Sequence, residues 1–164
     1  MNIGIDARIL ERKITGIGRS LKTILEELPL LDKENKYFLL NRELEKIFSK
    51  DFFYAGEYLG KIRKGKFFPS LNLLRIIAEG EANKVAINQK TAWLFICGRD
   101  IFRQGIVKVV GSKKKGDYTL ILNLHGECLG FGEIQQNLDS KGKGVFIRNI
   151  LDIGDFLRRE SAAT

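Results

Sequence analysis

Four clusters of cations run through the 164-residue sequence. Lys61, Arg63, Lys64 and Lys66 form the first, and Lys113, Lys114 and Lys115 the second. Lys141 and Lys143 with Arg148 form the third, and Arg158 and Arg159 the fourth. Ammonium groups bind phosphate as point charges, and guanidinium groups bind it through two parallel hydrogen bonds or stack on a base. Singly, each cluster reads as a solvated loop. Together they are more informative, because three of them lie in or beside turns that can share a surface. The chain holds 28 Lys and Arg against 20 Asp and Glu, a net charge of +8. Residues 1–83 carry +3 and residues 84–164 carry +5, so the excess is not confined to one tail. That balance points to a polyanionic partner, and it can also serve solubility alone.

Other chemistry is poorly provided for. His125 is the single histidine, and Cys97 and Cys128 lack the two-residue spacing of a metal knuckle. A structural zinc needs about four ligands, so neither a metal nor a cofactor is expected, and no residue is assigned a catalytic role. His125 reads as a turn residue without a nucleophile beside it. Cys97 and Cys128 lie in apolar runs and read as buried thiols in a reducing compartment. In Leu129-Gly130-Phe131-Gly132 the glycines read as a strand bend. They lack the third glycine and following helix of a dinucleotide fingerprint. Thr15-Gly16-Ile17-Gly18 precedes an expected helix whose first amides can meet an anion. Trp93, Phe95 and Phe102 read as core rather than as platforms for bases. No apolar run approaches the ~18 residues of a membrane span, so no membrane association is expected. No charged stretch followed by an apolar core opens the chain, so secretion is not expected either.

These residues need elements to position them. A strand is expected over residues 3–9 and a helix over 19–31, where Leu21, Ile24, Leu25, Leu28 and Leu31 recur at helical spacing. Residues 37–40 read as a strand. Asn41 can cap a helix whose apolar face is Leu44, Ile47 and Phe48. Residues 52–62 read as a bent strand or loop, and 71–78 as a helix ended near Gly80. The second half changes character. Short β-rich runs over 85–87, 106–110, 118–124, 128–134 and 145–150 alternate with glycine turns, the pattern of a small barrel. The run 92–97 fits either a strand, by propensity, or a buried helical turn.

Residues 84–164 resemble a PUA domain, a small RNA-binding barrel. The matching pieces are Lys84-Val85-Ala86-Ile87, Gly98-Arg99-Asp100-Ile101, Gly105-Ile106, Leu129-Gly130-Phe131-Gly132 and Asp152-Ile153-Gly154-Asp155-Phe156-Leu157-Arg158-Arg159. The closing segment looks like the C-terminus of the NIP-seven family of large-subunit ribosome-biogenesis proteins. The likeness extends upstream through residues 37–48, Tyr58-Leu59-Gly60-Lys61 and 67–77, about residues 36–164 in all. It implies an α+β protein, with a small α/β N-terminal domain over 1–83 and a PUA-type barrel over 84–164. It also implies a short helix for 92–97. The implied activity is not enzymatic: a cytoplasmic monomer, nucleolar in a eukaryote, that binds U-rich single-stranded pre-rRNA and docks ribosome assembly factors. On the matching last strand the cation is Arg148. Basic positions of the family around it read Gly144, Val145 and Leu151 here, and Lys141 and Lys143 can substitute from the preceding loop. With Arg158 and Arg159 these make the expected RNA-binding set.

The first 35 residues depart from that pattern. Ile3-Gly4-Ile5-Asp6-Ala7-Arg8, Thr15-Gly16-Ile17-Gly18-Arg19 and Leu30-Leu31-Asp32-Lys33-Glu34-Asn35 look like the opening of a GT-B glycosyltransferase. Such an enzyme needs two nucleotide-fold domains, more chain than is present. Two alternatives therefore stand beside RNA binding: a protein-interaction adaptor on a PUA scaffold, and a remnant of a nucleotide-sugar glycosyltransferase.

Overall fold

The computed structural model describes residues 2–6, 36–40, 56–63, 65–155 and 158. The expected helices over 19–31 and 41–48, the glycine loop 15–18, the stretch 52–55, Lys64 and Arg159 lie outside the described residues.

Strand β1 (Asn2–Asp6) runs parallel to β2 (Lys36–Leu40). Residues 7–9 of the strand expected over 3–9 lie outside the described residues. β3 (Glu57–Arg63) lies antiparallel to β2, and β4 (Lys66–Pro69) antiparallel to β3, giving a four-stranded sheet in the order β1-β2-β3-β4. Gly65, at φ +67°, sits in the tight turn between β3 and β4. This resolves the bent strand or loop expected over 52–62: from Glu57 onward it is a strand. Its bend sits at a register shift opposite Tyr37 and Phe38.

Helix α1 (Leu71–Glu79) follows at once. The Ser70 hydroxyl oxygen accepts from the Leu73 amide at 3.1 Å, satisfying a first-turn donor that the helix itself cannot. The same hydroxyl donates to the Tyr58 carbonyl, tying the helix start to β3. Leu73, Leu74 and Ile77 form its buried stripe, and Gly80 ends it.

The second half is a curled six-stranded sheet. Its strands are β5 (Lys84–Ile87), β6 (Ile101–Phe102), β7 (Ile106–Val110), β8 (Tyr118–Leu122), β9 (Cys128–Ile134) and β10 (Val145–Asp152). They are ordered β6-β10-β9-β8-β5-β7, and only β5 and β8 pair in parallel. Six strands replace the five expected. The addition is β6, whose two residues carry no alternation to read.

Helix α2 (Gln89–Ile96) settles the ambiguous run 92–97, as the family resemblance implied. It begins earlier than that run because Asn88 caps it: the Asn88 Oδ1 accepts from the Thr91 amide at 2.9 Å. Asn88 Nδ2 also donates to the Gln104 carbonyl at 3.1 Å, so one side chain fixes both the helix start and the 3₁₀ turn after β6. Replacing Asn88 with Ala is expected to cost about 1–2 kcal/mol, read as a lower denaturation midpoint with an unchanged slope.

Two apolar clusters hold the molecule. One lies inside the six-stranded sheet: Val85, Ile87, Phe95, Ile101, Ile121, Leu129, Ile134, Leu138, Phe146 and Ile147. The other joins the two sheets. It contains Tyr37, Leu59, Ile62 and Phe67 of the first, Leu73, Leu74 and Ile77 of α1, and Leu120 and Phe131 of the second. Each buried side chain of this size contributes about 1.5–3 kcal/mol by leaving water.

Candidate functional site

β10 is the centre of the site. Along it Phe146 and Ile147 are buried, while Arg148 and Ile150 are exposed and line one cleft. The register places Arg148 opposite Glu133 of β9, and Glu133 opposite Tyr118 of β8. Tyr118, Glu133 and Arg148 therefore form a row across three strands, with the outer backbones about 10 Å apart. Arg148 forms an ion pair with Glu133 and keeps 54% of its side chain exposed. A pair this exposed adds little stability, and an incoming phosphate can compete for the guanidinium.

Beside that row is a cleft of about 350 Å³. One wall is the β3–β4 hairpin, Gly65 to Phe68, and the other is Arg148, Ile150 and Leu151 of β10. Tyr118 and Phe131 line it as well, their rings edge to face with centroids 6.0 Å apart. Lys66 and Arg148 are exposed lining residues of opposite walls. The fold thus brings Lys66 of the first cation cluster and Arg148 of the third to one place.

The second cluster meets the Lys141–Lys143 loop region instead. The Leu138 amide donates to the Lys113 carbonyl at 2.9 Å, and the Lys115 amide to Asn137 Oδ1 at 3.0 Å. Lys113 Nζ pairs with Asp139 at 2.9 Å. Gln136 Nε2 donates to the Lys143 and Val145 carbonyls, at 3.0 and 2.8 Å, and shapes the loop from which exposed Lys141 and Lys143 project.

Arg158 is engaged differently from the other expected contacts. Its guanidinium grips Asp152 through both nitrogens, at 2.7 and 3.1 Å, and also donates to the Ile96 carbonyl. Those hydrogen bonds to Asp152 hold its pKa above the ordinary guanidinium value. Asp152 is only 3% exposed and further accepts from Asn149 Nδ2 at 3.0 Å and the Gly154 amide at 2.8 Å. Arg158 thus pins the closing segment to the end of α2.

Several expectations need correction. Trp93 and Phe102 are not core: they are 66% and 46% exposed, and of the three aromatics only Phe95 is buried. α2 packs through Phe95 and leaves Trp93 and Leu94 outside, and Phe102 ends a strand too short to bury alternate residues. Cys97 is exposed rather than buried, because it is the C-cap where α2 ends. Cys128 is half-buried, and burial pushes its thiol above the usual range, partly offset by a backbone hydrogen bond of Gly130 and by the charge of Lys84. His125 sits exposed in the β8–β9 turn, its amide held by Asn123 Oδ1 at 2.9 Å. Among the described residues no group of three or more His, Cys, Asp or Glu is placed to hold a metal ion, and no helix is long and apolar enough to cross a membrane. Tyr118, Phe68 and Ile150 carry no signal of a site in the sequence. Lys66 and Arg148 belong to visible cation clusters, but their meeting at one cleft depends on the sheet pairing.

Comparison with known proteins follows the same outline. Residues 83–161 match the model of the UPF0113 PUA domain. A UPF0113 protein of Archaeoglobus fulgidus is 28% identical over 111 residues, covering 65% of this chain and 63% of the relative, so the aligned stretch is less than two thirds of that protein's length. A conserved PUA-domain protein of Thermoplasma acidophilum superposes with a TM-score of 0.52 at 22% identity, over 66% of this chain and 72% of that one. A hypothetical protein of Pyrococcus horikoshii gives 0.53 at 16% identity, over 92% and 95%. None of these three is described as a glycosyltransferase. From the matched residues and the shared architecture, the chain is a mixed α+β protein with a PUA-domain fold.

Proposed function

We propose that this protein is a non-enzymatic RNA-binding factor of large-subunit ribosome assembly. In this reading it acts as a cytoplasmic monomer and takes U-rich single-stranded pre-rRNA on the barrel of residues 84–164. The observation that carries the reading is the exposed cation on β10, Arg148, flanked by the loop bearing Lys141 and Lys143. Single strands need cations for their phosphates and flat groups for their bases, and this surface offers both. Arg159 adds to the basic end of the chain. Arg158, committed to Asp152, contributes to RNA only indirectly, by fixing the closing segment.

Three phosphate contacts on a single strand give a slope of log affinity against log salt near −2. Raising salt from about 50 to about 200 mM should then weaken oligouridine binding about 15–20-fold. Arg148→Gln is expected to weaken it about five- to tenfold and to flatten that slope, with the fold intact. A fluorescence-anisotropy titration at two salt concentrations checks both. Salt-independent affinity, or none at micromolar protein, would sink the proposal.

A second reading has its own observation. Trp93, Leu94 and Phe102 are exposed, and exposed aromatics of this size are the common anchors of protein interfaces. Docking of an assembly factor through them would be lost in Trp93→Ala while oligouridine affinity stayed unchanged.

A further inference from the structure

We infer that the cleft between the β3–β4 hairpin and the barrel receives one unstacked base of the bound strand. The inference rests on the RNA-binding reading and extends its surface to the N-terminal sheet. Its volume, about 350 Å³, lies in the range of pockets that enclose small organic ligands, ~300–1,000 Å³. Its lining is mostly aromatic and aliphatic. Phe68 and Tyr118 are half-buried and line it, and Ile150 is 40% exposed. Phe131 behind them is fully packed and cannot move aside.

The charge is distributed as such an occupant requires. Lys66 and Arg148 belong to opposite walls, both exposed, and no carboxylate is among the described lining residues. Glu133, the nearest acid in the strand register, is paired with Arg148. A planar ring with a phosphate on either side satisfies this arrangement. An aliphatic ligand would make no use of either cation, and a phosphate alone would make no use of the rings. Base-on-aromatic stacking accounts for about tenfold in affinity per base and tolerates any base.

The test compares an oligouridine with an abasic phosphodiester strand of equal length, titrated against the full chain. The wild-type protein should favour the oligouridine about tenfold. Phe68→Leu and Tyr118→Leu keep an apolar side chain but remove the flat ring, and each should reduce that preference while leaving the salt slope unaltered. Lys66→Gln, an exposed change that leaves the core intact, should lower the slope by about 0.7, the value of one single-strand phosphate contact. Circular dichroism confirms that each variant is folded. Equal binding of both strands by wild type, or a preference surviving both ring replacements, overturns the cleft assignment and leaves salt-dependent RNA binding standing. No binding of either strand overturns both.

Discussion

Gly130→Ala should abolish the native fold or cost about 4 kcal/mol or more, a large part of the ~5–15 kcal/mol that separates folded from unfolded chains. Gly130 sits in β9 at φ +150°, a conformation that side chains rarely adopt. An added Cβ would run into the Leu151 carbonyl oxygen and lie 2.8 Å from the Asp152 Cα. Both obstacles are backbone of β10, so no rotamer change relieves them. β9 and β10 would have to separate where Phe131 pairs with Leu151 and Gly130 with Asp152. Gly126→Ala is the control. Gly126 also has positive φ, +84°, but a Cβ there meets nothing within 4 Å. It should cost only about 1 kcal/mol, the strain of the backbone alone. Soluble yield and chemical denaturation of the two variants separate close approach from backbone strain.

Asp152→Ala is expected to lower stability by about 3 kcal/mol, a shift in Tm of roughly 6–12 °C for a chain of this length. The buried carboxylate accepts from Asn149, the Gly154 amide and both Arg158 nitrogens, and its removal leaves the Gly154 amide without its acceptor and takes one from Asn149 and Arg158 as well. Arg158→Ala should cost less, about 1–2 kcal/mol, because its side chain is 40% exposed and two donors still serve the carboxylate. The double variant should cost less than the sum of the singles, since each single change leaves the partner uncompensated. Calorimetry on the three proteins gives the coupling directly. Equal additivity would show that the pair is decorative. Folded Arg158→Ala should retain its oligouridine affinity if Arg158 serves the fold rather than the ligand.

The same network explains why the closing motif was legible in the sequence. Asp152 must be acidic to collect its donors, and Gly154 must lack a Cβ because one would collide with the Ile96 carbonyl. Arg158, six residues on, returns to meet the carboxylate. Such requirements are local and write themselves into residue identity. Helix α1 was legible for a similar reason, its buried stripe lying between Ser70 and Gly80. Trp93 and Phe102 were misread because aromatic residues are apolar whether or not something covers them. The helix buries a single residue, Phe95, and one position sets no period. Arg148 could be picked out as the cation of a strand, but its ion pair with Glu133 follows only from the β9–β10 register. The cleft was illegible altogether, since its walls come from residues 65–68 and 148–151.

The residues behind the cleft are also the residues that join the two sheets. Phe67 and Phe131 line the opening and belong to the apolar cluster shared by β2, β3, β4, α1, β8 and β9. Opening the walls by a hinge would expose that cluster to water. The slot is therefore preformed, and whatever enters finds its shape already set. Little ordering entropy is then lost by the protein on binding. Arrival should be governed by diffusion and electrostatic steering rather than by a closure step, so changes in the rings should show in the lifetime of the complex and changes in the cations in its rate of formation.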